Sequence, residues 1–343
     1  TIDLMEEVRF PDSLGLLYST VTDFLGFTVL SDEYKVMGLA PYGKPCFVDQ
    51  IHTLITSGEG GQFSLNMDYF DFSQPDRMFT DEMEGLFGMA QRIPESDMGQ
   101  THRDIAKSLQ VVLEEILLEK TRYLHGRVPS DNLCMAGGVA LNCVAVRHVH
   151  LNGPFQNLFV QPASGDAGAS LGAAALAHIE LTGERHTYEP LSHVYLGPAH
   201  SSDKIGRMLK EAGIQAFDFR GREEELLSAI VDRLNAQKVV GWFHGRMEFG
   251  PRALGARSIL GDPRDPTMRD RLNAVIKKRE GFRPFAPVIL EECVDEHMDI
   301  GYPSRFMTET CQVISDLDLP AITHVDGSAR VQTVSRDVSP RFA

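Results

Sequence analysis

The chain has 343 residues, of which 43% are hydrophobic and 24% are charged, and its formal net charge is −15. This length exceeds one ordinary core and indicates two domains, and the composition is that of a globular protein. The acidic balance argues against a broad electrostatic contact with nucleic acid.

Neither a disulfide framework nor a membrane segment is indicated. The five cysteines are far apart and form no CxxC pair, unlike those of a disulfide scaffold or a thiolate zinc site. No apolar run approaches the roughly 18 to 20 residues of a membrane helix, and no signal peptide opens the chain. We therefore expect a cytoplasmic protein without a membrane partner.

The first hundred residues predict one helix followed by irregular structure. Residues 12–25 predict a helix that starts after Pro11, and a tight loop rich in Gly and Pro is expected at 37–45. Residues 46–101 have weak periodicity and are interpreted as an irregular insertion. The next segment, 103–125, carries apolar residues at helical spacing and predicts an amphipathic helix.

Two strand–turn–helix units follow. Their strands, turns and helices are expected at 132–136, 137–138 and 139–150 in the first unit and at 157–161, 162–165 and 166–179 in the second. Cys134 and Cys143 suit a core of small residues. Strands that alternate with helices indicate an α/β sheet, whose ligands usually bind at the strand ends.

A polar stretch at 183–201 predicts a linker to a second domain. The elements expected after it are helices at 202–212 and around Leu226 to Leu234, and strands at 238–243, 285–290 and 330–334. The second domain is therefore also expected to mix helices and strands.

The first motif with chemical content is AGGVALN, which holds Gly137, Gly138 and Asn142. Two glycines between a strand and a helix let a ligand approach the backbone, and a helix N-terminus favours the negative charge of a nucleotide. A tight structural turn explains a lone pair of glycines equally well.

The second motif is PASGDAGASLG, in which Asp166 stands at a predicted helix start. A carboxylate there either caps the helix, contributing about 1 kcal/mol, or binds a hard or borderline metal ion beside nucleotide phosphates. From the residues alone, both interpretations stay open.

A basic island lies between Arg246 and Arg283, where ten Lys and Arg stand against five Asp and Glu. Glycines 245, 250 and 255 are expected to expose backbone donors in this island. Cationic side chains suited to phosphate or carboxylate oxygens are offered by Arg252, Arg257, Lys277, Arg283 and Arg330. The alternatives are a solvated basic face and, for Lys277 or Arg279, a structural role at the end of a predicted helix. We favour anion recognition because the arginines lie beside Gly and Pro in a nonhelical stretch.

Eight sequence blocks, taken together, resemble the NodU/CmcH-type O-carbamoyltransferase family. In chain order they read SLGLLYSTVTDFLGF, DEYKVMGLAPYG, HRDIAKSLQ, GGVALN, SGDAGASLGAAAL, GWFHGRMEFGPRALGARSIL, KKREGFRPFAP and HVDGSARVQTV. Their order and spacing cover nearly the whole chain apart from residues 46–101, so a chance match is very improbable.

The resemblance implies an α/β protein of two domains. Residues 1–190 would be the C-terminal portion of an actin/sugar kinase/Hsp70-like (ASKHA) carbamoyl-transfer domain, and residues 191–343 a YrdC-like domain that is incomplete at its C-terminus. The family's HxxxH metal motif and its closing Asn, Ser and Asn block are expected before Thr1 and after Ala343. We therefore expect a chain truncated at both ends and, if those parts are absent from the molecule, weak or no metal binding and no complete turnover.

The resemblance also implies an activity. A protein of this family uses ATP and carbamoyl phosphate to form carbamoyl adenylate, and then transfers the carbamoyl group to a hydroxyl of a small molecule such as an antibiotic or a nodulation factor. Carried over by motif, nucleotide binding falls to Gly137, Gly138 and Asn142. Asp166 would be a ligand of a divalent metal, commonly iron, with magnesium as the alternative. The carbamoyl phosphate or the adenylate would be held by Arg252, Lys277, Arg283 and Arg330.

The sequence leaves three alternative functions. A transferase that makes threonylcarbamoyladenosine in tRNA is disfavoured by the charge of −15 and by the fusion of both domain types in one chain. A kinase or simple ATPase of the ASKHA type would need no basic second domain. A degenerate nucleotide-binding scaffold would have no activity.

Overall fold

The computed structural model describes residues 3–74, 76–184 and 191–343. The chain divides into two compact units, Thr1–Gly165 and Asp166–Ala343. The predicted linker at 183–201 falls partly outside the described residues, and its described end, 191–201, contains neither helix nor strand. The predicted domain boundary at residue 190 also lies outside the described residues and stays a prediction.

The first unit is built around one long helix. Its elements are α1 (Leu14–Phe24), α2 (Glu33–Leu39), α3 (Val48–Leu54), β1 (Ile55–Ser57), β2 (Phe63–Leu65), α4 (Glu82–Phe87), α5 (Gln100–Arg127), β3 (Asn132–Met135), α6 (Cys143–Asn152) and β4 (Asn157–Val160). Helix α5 has 28 residues, and its apolar face is fully buried at Ile105, Leu109 and Val112. Helices α1, α2, α3 and α6 pack against it. Strands β3 and β4 are parallel, joined through α6 as the alternating pattern predicts.

The helix predicted at 12–25 is confirmed as α1, which begins at Leu14. Ser13 is the N-cap, and its Oγ accepts a hydrogen bond from Leu16 N at 3.3 Å. Asp12 instead accepts from Leu65 N at 2.7 Å, which ties the start of α1 to β2.

The loop predicted at 37–45 is wrong over most of its length. Met37 to Leu39 complete α2, and a 3₁₀ turn continues through Ala40–Tyr42. Pro41 is accommodated because it stands at the start of that turn, where a backbone N–H has no helical acceptor. The chain leaves the helical path at Gly43, where a Cβ atom would overlap the backbone of Arg103.

Residues 46–101 are not an irregular insertion. They form α3, α4 and the antiparallel pair β1–β2, and they supply core side chains such as Phe79 and Phe87. The rings of both lie against Phe24 of α1, with centroid separations of 5.3 and 5.2 Å. Helices α3 and α4 span only seven and six residues, which is too short for a clear helical period in the sequence.

The second unit contains short sheets connected by helices. Its elements are α7 (Asp166–Thr182), α8 (Ser202–Glu211), α9 (Glu223–Asn235), β5 (Val240–Phe243), β6 (Arg257–Leu260), α10 (Met268–Arg271), β7 (Val288–Leu290), α11 (Val294–His297), β8 (Cys311–Gln312), β9 (Ser328–Ala329) and β10 (Gln332–Val334). Strands β5 and β6 pair antiparallel, as do β8 and β9, whereas β7 and β10 are parallel.

The mixed α/β class is confirmed, and the predicted helices at 166–179, 202–212 and 226–234 correspond to α7, α8 and α9. Strand β6 was not predicted because its four residues lie inside the basic island. Cys143 is buried as expected, but Cys134 is exposed on β3, so its predicted core position is wrong. Among the described helices, none has both the length and the apolar composition that a membrane span requires.

Candidate active site

The turn between β3 and α6 leaves open space above its backbone. Gly137 has φ 95° and ψ 163°, a conformation that side chains with a Cβ atom rarely adopt. Its N–H donates to Ser164 O at 2.9 Å, which fixes the turn. Both Gly137 and Gly138 are exposed, and a Cβ atom on either would meet no described atom within 4 Å. The turn can therefore admit a ligand close to its backbone, and nucleotide binding there stays a prediction.

Asn142 shapes this turn from inside the protein. Its Oδ1 accepts from Ala145 N at 3.0 Å, so Asn142 is the N-cap of α6, and Gln110 Nε2 donates to the same oxygen at 3.2 Å. Its Nδ2 donates to Gln110 Oε1 at 2.8 Å. The predicted helix start at residue 139 is wrong because a 3₁₀ turn, Gly138–Leu141, comes first. The side-chain amide is thus engaged within the protein, a role that sequence reasoning missed.

A buried polar network continues from Gln110 beneath the turn. Gln110 Nε2 also donates to Glu114 Oε1 at 2.8 Å, and Tyr18 OH donates to Gln110 Oε1 at 3.2 Å. His148 Nδ1 lies 3.6 Å from Glu114 Oε2. Burial raises the pKa of Glu114, and the hydrogen bond from Gln110 and the nearby His148 only partly oppose this.

Glu114→Gln is expected to stabilise the protein at alkaline pH. Because the folded-state pKa of Glu114 is raised, its contribution to stability is greatest at low pH and is lost as pH rises from the unfolded towards the folded pKa. We expect the variant to unfold a few degrees above the parent protein at pH 8 and at the parent's temperature at pH 4, by thermal melts across that range. Glu115→Gln, on the exposed side of α5, is the control; a Glu114→Gln gain that does not grow with pH would contradict the account.

Asp166 is the first residue of α7, and it is exposed. The described residues hold no group of three or more His, Cys, Asp or Glu side chains placed to share a metal ion. One exposed carboxylate is a single ligand, whereas protein metal sites use several. The described residues therefore do not fit the expected iron or magnesium ion by themselves, and we derive no chemical step from a metal.

In the second unit, acidic residues neutralise much of the basic island. Ion pairs join Arg257 to Glu248 at 2.7 Å, Arg264 to Asp262 at 2.6 Å, Arg269 to Asp270 at 3.2 Å and Arg283 to Glu280 at 3.7 Å. The island is thus a set of internal pairs as well as a source of positive charge. Arg257, one of the predicted anion ligands, is held by Glu248.

Glu248 also accepts hydrogen bonds from backbone N–H groups on both sides of Gly255. Its Oε1 accepts from the N–H groups of Leu254, Ala256 and Arg257 at 2.6, 2.8 and 3.3 Å. Gly255 N donates to Ser258 Oγ, so the expectation of a free backbone donor is wrong at Gly255. Gly255 is required for another reason: its φ is 103°, and a Cβ atom would overlap the Phe342 ring.

The pKa of Glu248 lies below its usual value. Burial opposes ionisation, but the Arg257 guanidinium and the donated backbone N–H groups outweigh it. Nothing in the local pattern GRMEFGPRALGAR distinguishes this glutamate from a surface residue, apart from its being the single acid among arginines and glycines.

Three of the four residues that the family resemblance assigns to carbamoyl phosphate lie on segments that meet. Leu254 packs in one apolar cluster with Ala286, and its carbonyl accepts from Gln332 Nε2 at 2.9 Å. Gln332 N donates to Pro287 O at 2.9 Å, beside the parallel pairing of β7 and β10. Arg252, Arg283 and Arg330 each stand two or three residues from these contacts. The fold therefore gathers segments that are up to 78 residues apart in sequence.

Arg330 carries a buried donor that is available to an anionic ligand. It is half-buried, and its Nε is shielded from solvent without a hydrogen-bond acceptor among the described residues. A buried polar group left in this state costs about 1–3 kcal/mol, more when it is charged. Bound anionic oxygens would satisfy it.

The other three residues differ in placement. Arg252 and Arg283 are half-buried, whereas Lys277 is exposed at the end of a π-helical turn, Leu272–Lys277. No contact found within the described residues joins Lys277 to the three arginines. A cleft lies where Leu254 contacts Gln332, and its other lining residues include Tyr195, Arg305 and Ser335.

Comparisons with known proteins assign both halves of the chain to one family. Two family models match: Carbamoyltransferase N-terminus over residues 2–175 and Carbamoyltransferase C-terminus over residues 231–343. An uncharacterised protein of Synechocystis sp. is 44% identical over 362 residues, covering 98% of this chain and 59% of the relative.

Two nodulation proteins are also similar. Nodulation protein NolO of Bradyrhizobium diazoefficiens is 40% identical over 346 residues, covering 98% of this chain and 60% of the relative. Nodulation protein U of Azorhizobium caulinodans is 37% identical over 243 residues, covering 69% and 41%. The chain thus spans at most about three fifths of the length of these relatives.

Proposed function

The chain belongs to the carbamoyltransferase family, and we propose that it acts in ATP-dependent O-carbamoyl transfer to a small-molecule hydroxyl. The carbamoyl donor would be carbamoyl phosphate, activated in residues 191–343 as carbamoyl adenylate. The net charge of −15 supports a small-molecule acceptor rather than a nucleic acid. We further propose that residues 1–190 are of the ASKHA type and residues 191–343 of the YrdC type.

The observation that carries this proposal is the buried Nε of Arg330, which has no acceptor among the described residues and lies between β9 and β10, beside the contacts that join the segments of Arg252 and Arg283. Guanidinium groups present forked donors that match phosphate and carboxylate oxygens, and charge-assisted bonds of this kind are about twice as strong as neutral ones. Carbamoyl phosphate offers both a phosphate and a carbonyl oxygen to such a site.

The arginines would serve activation in two ways. They would neutralise the charge of carbamoyl phosphate so that it can approach the polyphosphate of ATP, and they would stabilise negative charge that develops on the carbamoyl oxygen. Overall, carbamoyl phosphate, water and ATP would yield carbamoyl adenylate, phosphate and pyrophosphate. In the first unit, the open turn at Gly137 and Gly138 would then receive the nucleotide end of the intermediate for transfer.

The test is to measure pyrophosphate from ATP with and without carbamoyl phosphate. We expect pyrophosphate only when both are present, together with a product of the mass of carbamoyl adenylate. Release of ADP and phosphate from ATP alone, at a rate that carbamoyl phosphate does not change, would contradict the proposal and favour a kinase or ATPase.

A further inference from the structure

Asn273 is buried at the base of the loop that carries Lys277 and Arg283, with 1% of its surface exposed. Its Nδ2 donates to the carbonyl oxygens of Arg283 and Gly281 at 3.0 and 3.4 Å. Its Oδ1 accepts from Arg279 Nε at 2.7 Å. One side chain therefore contacts three separate points of a single loop.

The backbone of Asn273 holds the same loop. Its carbonyl accepts from the N–H groups of Lys278 and Arg279, which closes the π-helical turn Leu272–Lys277. Lys278 follows with φ 47°, a left-handed conformation that a lysine adopts only when its surroundings hold it there. Turns of the π type occur frequently at functional sites.

Arg279 is engaged by contacts within the loop. Its guanidinium lies over the Phe285 ring at 4.6 Å from the centroid, while its Nε is bonded to Asn273. This placement resolves the alternatives left by the sequence: Arg279 has the structural role, whereas the charge of Lys277 stays exposed. The loop thus separates a structural cation from candidate ligands.

We propose that Asn273 is a positioning residue that sets Lys277 and Arg283 for the carbamoyl phosphate, an inference that rests on the proposed function. The side-chain amide acts through the carbonyl of Arg283 on one side and through the Nε of Arg279, two residues after Lys277, on the other. Loss of the amide donors should displace Arg283 directly and Lys277 only through the shared loop, and should leave Arg252 and Arg330 in place. Carbamoyl phosphate binding should therefore suffer more than ATP binding.

The experiment compares Asn273→Asp with the parent protein and with Val294→Ala. Asn273→Asp keeps the shape and the acceptor for Arg279 but removes both donors to the loop carbonyls. In pyrophosphate-release assays, we expect its KM for carbamoyl phosphate to rise at least 10-fold because the Arg283 backbone loses its hydrogen bond from Asn273. The KM for ATP should stay within about 2-fold of the parent value. Val294→Ala opens a cavity in a core cluster of this unit that includes no residue from 273 to 283, and it should lower stability without changing either KM.

Hydrogen exchange supplies a readout that needs no turnover. We expect faster exchange in Asn273→Asp confined to residues 277–283. A parent protein without carbamoyl-phosphate-dependent pyrophosphate release would overturn the proposed function, and the inference with it. If the parent is active, two results for Asn273→Asp would overturn the inference alone. One is an unchanged KM for carbamoyl phosphate, and the other is an equal rise in the KM values for carbamoyl phosphate and ATP.

Discussion

Replacing Arg330 with methionine is expected to reduce carbamoyl-phosphate-dependent pyrophosphate release by 100-fold or more. The variant removes a guanidinium whose Nε has no acceptor among the described residues, so the bound anion would lose a charge-assisted bond. Loss of about 3 kcal/mol of such binding corresponds to roughly 100-fold. The measurement is the initial rate of pyrophosphate release at fixed ATP and varied carbamoyl phosphate.

The same substitution should not weaken the fold. Methionine is similar in length to the apolar stem of arginine, and it removes a buried donor that lacks an acceptor. We therefore expect an unchanged or slightly higher unfolding temperature for Arg330→Met. The matched control is Arg336→Met, six residues along, where an exposed arginine pairs with Glu292. Equal rates for both variants, or a marked loss of stability in Arg330→Met with normal turnover, would contradict the assignment.

Glu248→Gln is expected to lower the free energy of unfolding by about 2–4 kcal/mol. The Glu248 side chain is fully buried, and its oxygens accept three backbone N–H groups and Arg257 Nε. Glutamine would place an NH₂ group against donors and leave Arg257 without its counter-charge. Because Arg257 is about one third exposed, water would compensate part of the loss, which places the estimate below the upper range for buried pairs.

The pH dependence of this loss follows from the lowered pKa of Glu248. A carboxylate with a depressed folded-state pKa contributes stability above its unfolded value, near 4.3, and loses it as pH falls through the folded pKa. The difference between the parent and Glu248→Gln, measured by urea unfolding, should therefore be full at pH 7 and shrink on acidification below about pH 4. Asp262→Asn is a graded control, because Asp262 has one arginine partner and a single backbone donor, from Arg264. If Glu248→Gln lowers the free energy of unfolding no more than Asp262→Asn does, the stabilising role assigned to the Glu248 contacts is contradicted.

Long or strongly patterned elements could be predicted from the sequence. Helix α5 has an apolar face that repeats from Ile105 to Leu117, and the parallel pair β3–β4 has turns and helices in alternating order. Short elements could not be predicted in this way. Helix α2 runs into a 3₁₀ turn at Pro41, and α6 starts only at Cys143 because Asn142 caps it.

The chemistry of the site was predictable in residue type but not in its division of roles. The density of arginine indicated an anion site, whereas the partners that occupy some of those arginines depend on tertiary contacts. Arg257 is held by Glu248, and Arg279 by Asn273 and Phe285. The Asn142 amide is bonded to Gln110, 32 residues away. No local period carries such pairings.

The central claim is that Arg252 and Arg330 serve one bound carbamoyl phosphate. A double-mutant cycle of Arg252→Met and Arg330→Met, read as kcat/KM for carbamoyl phosphate, tests it most directly. We expect the double variant to lose much less than the product of the two single losses, since both side chains would contact the same small anion. Losses that multiply in full, or an Arg252→Met variant with parental kinetics, would contradict the account.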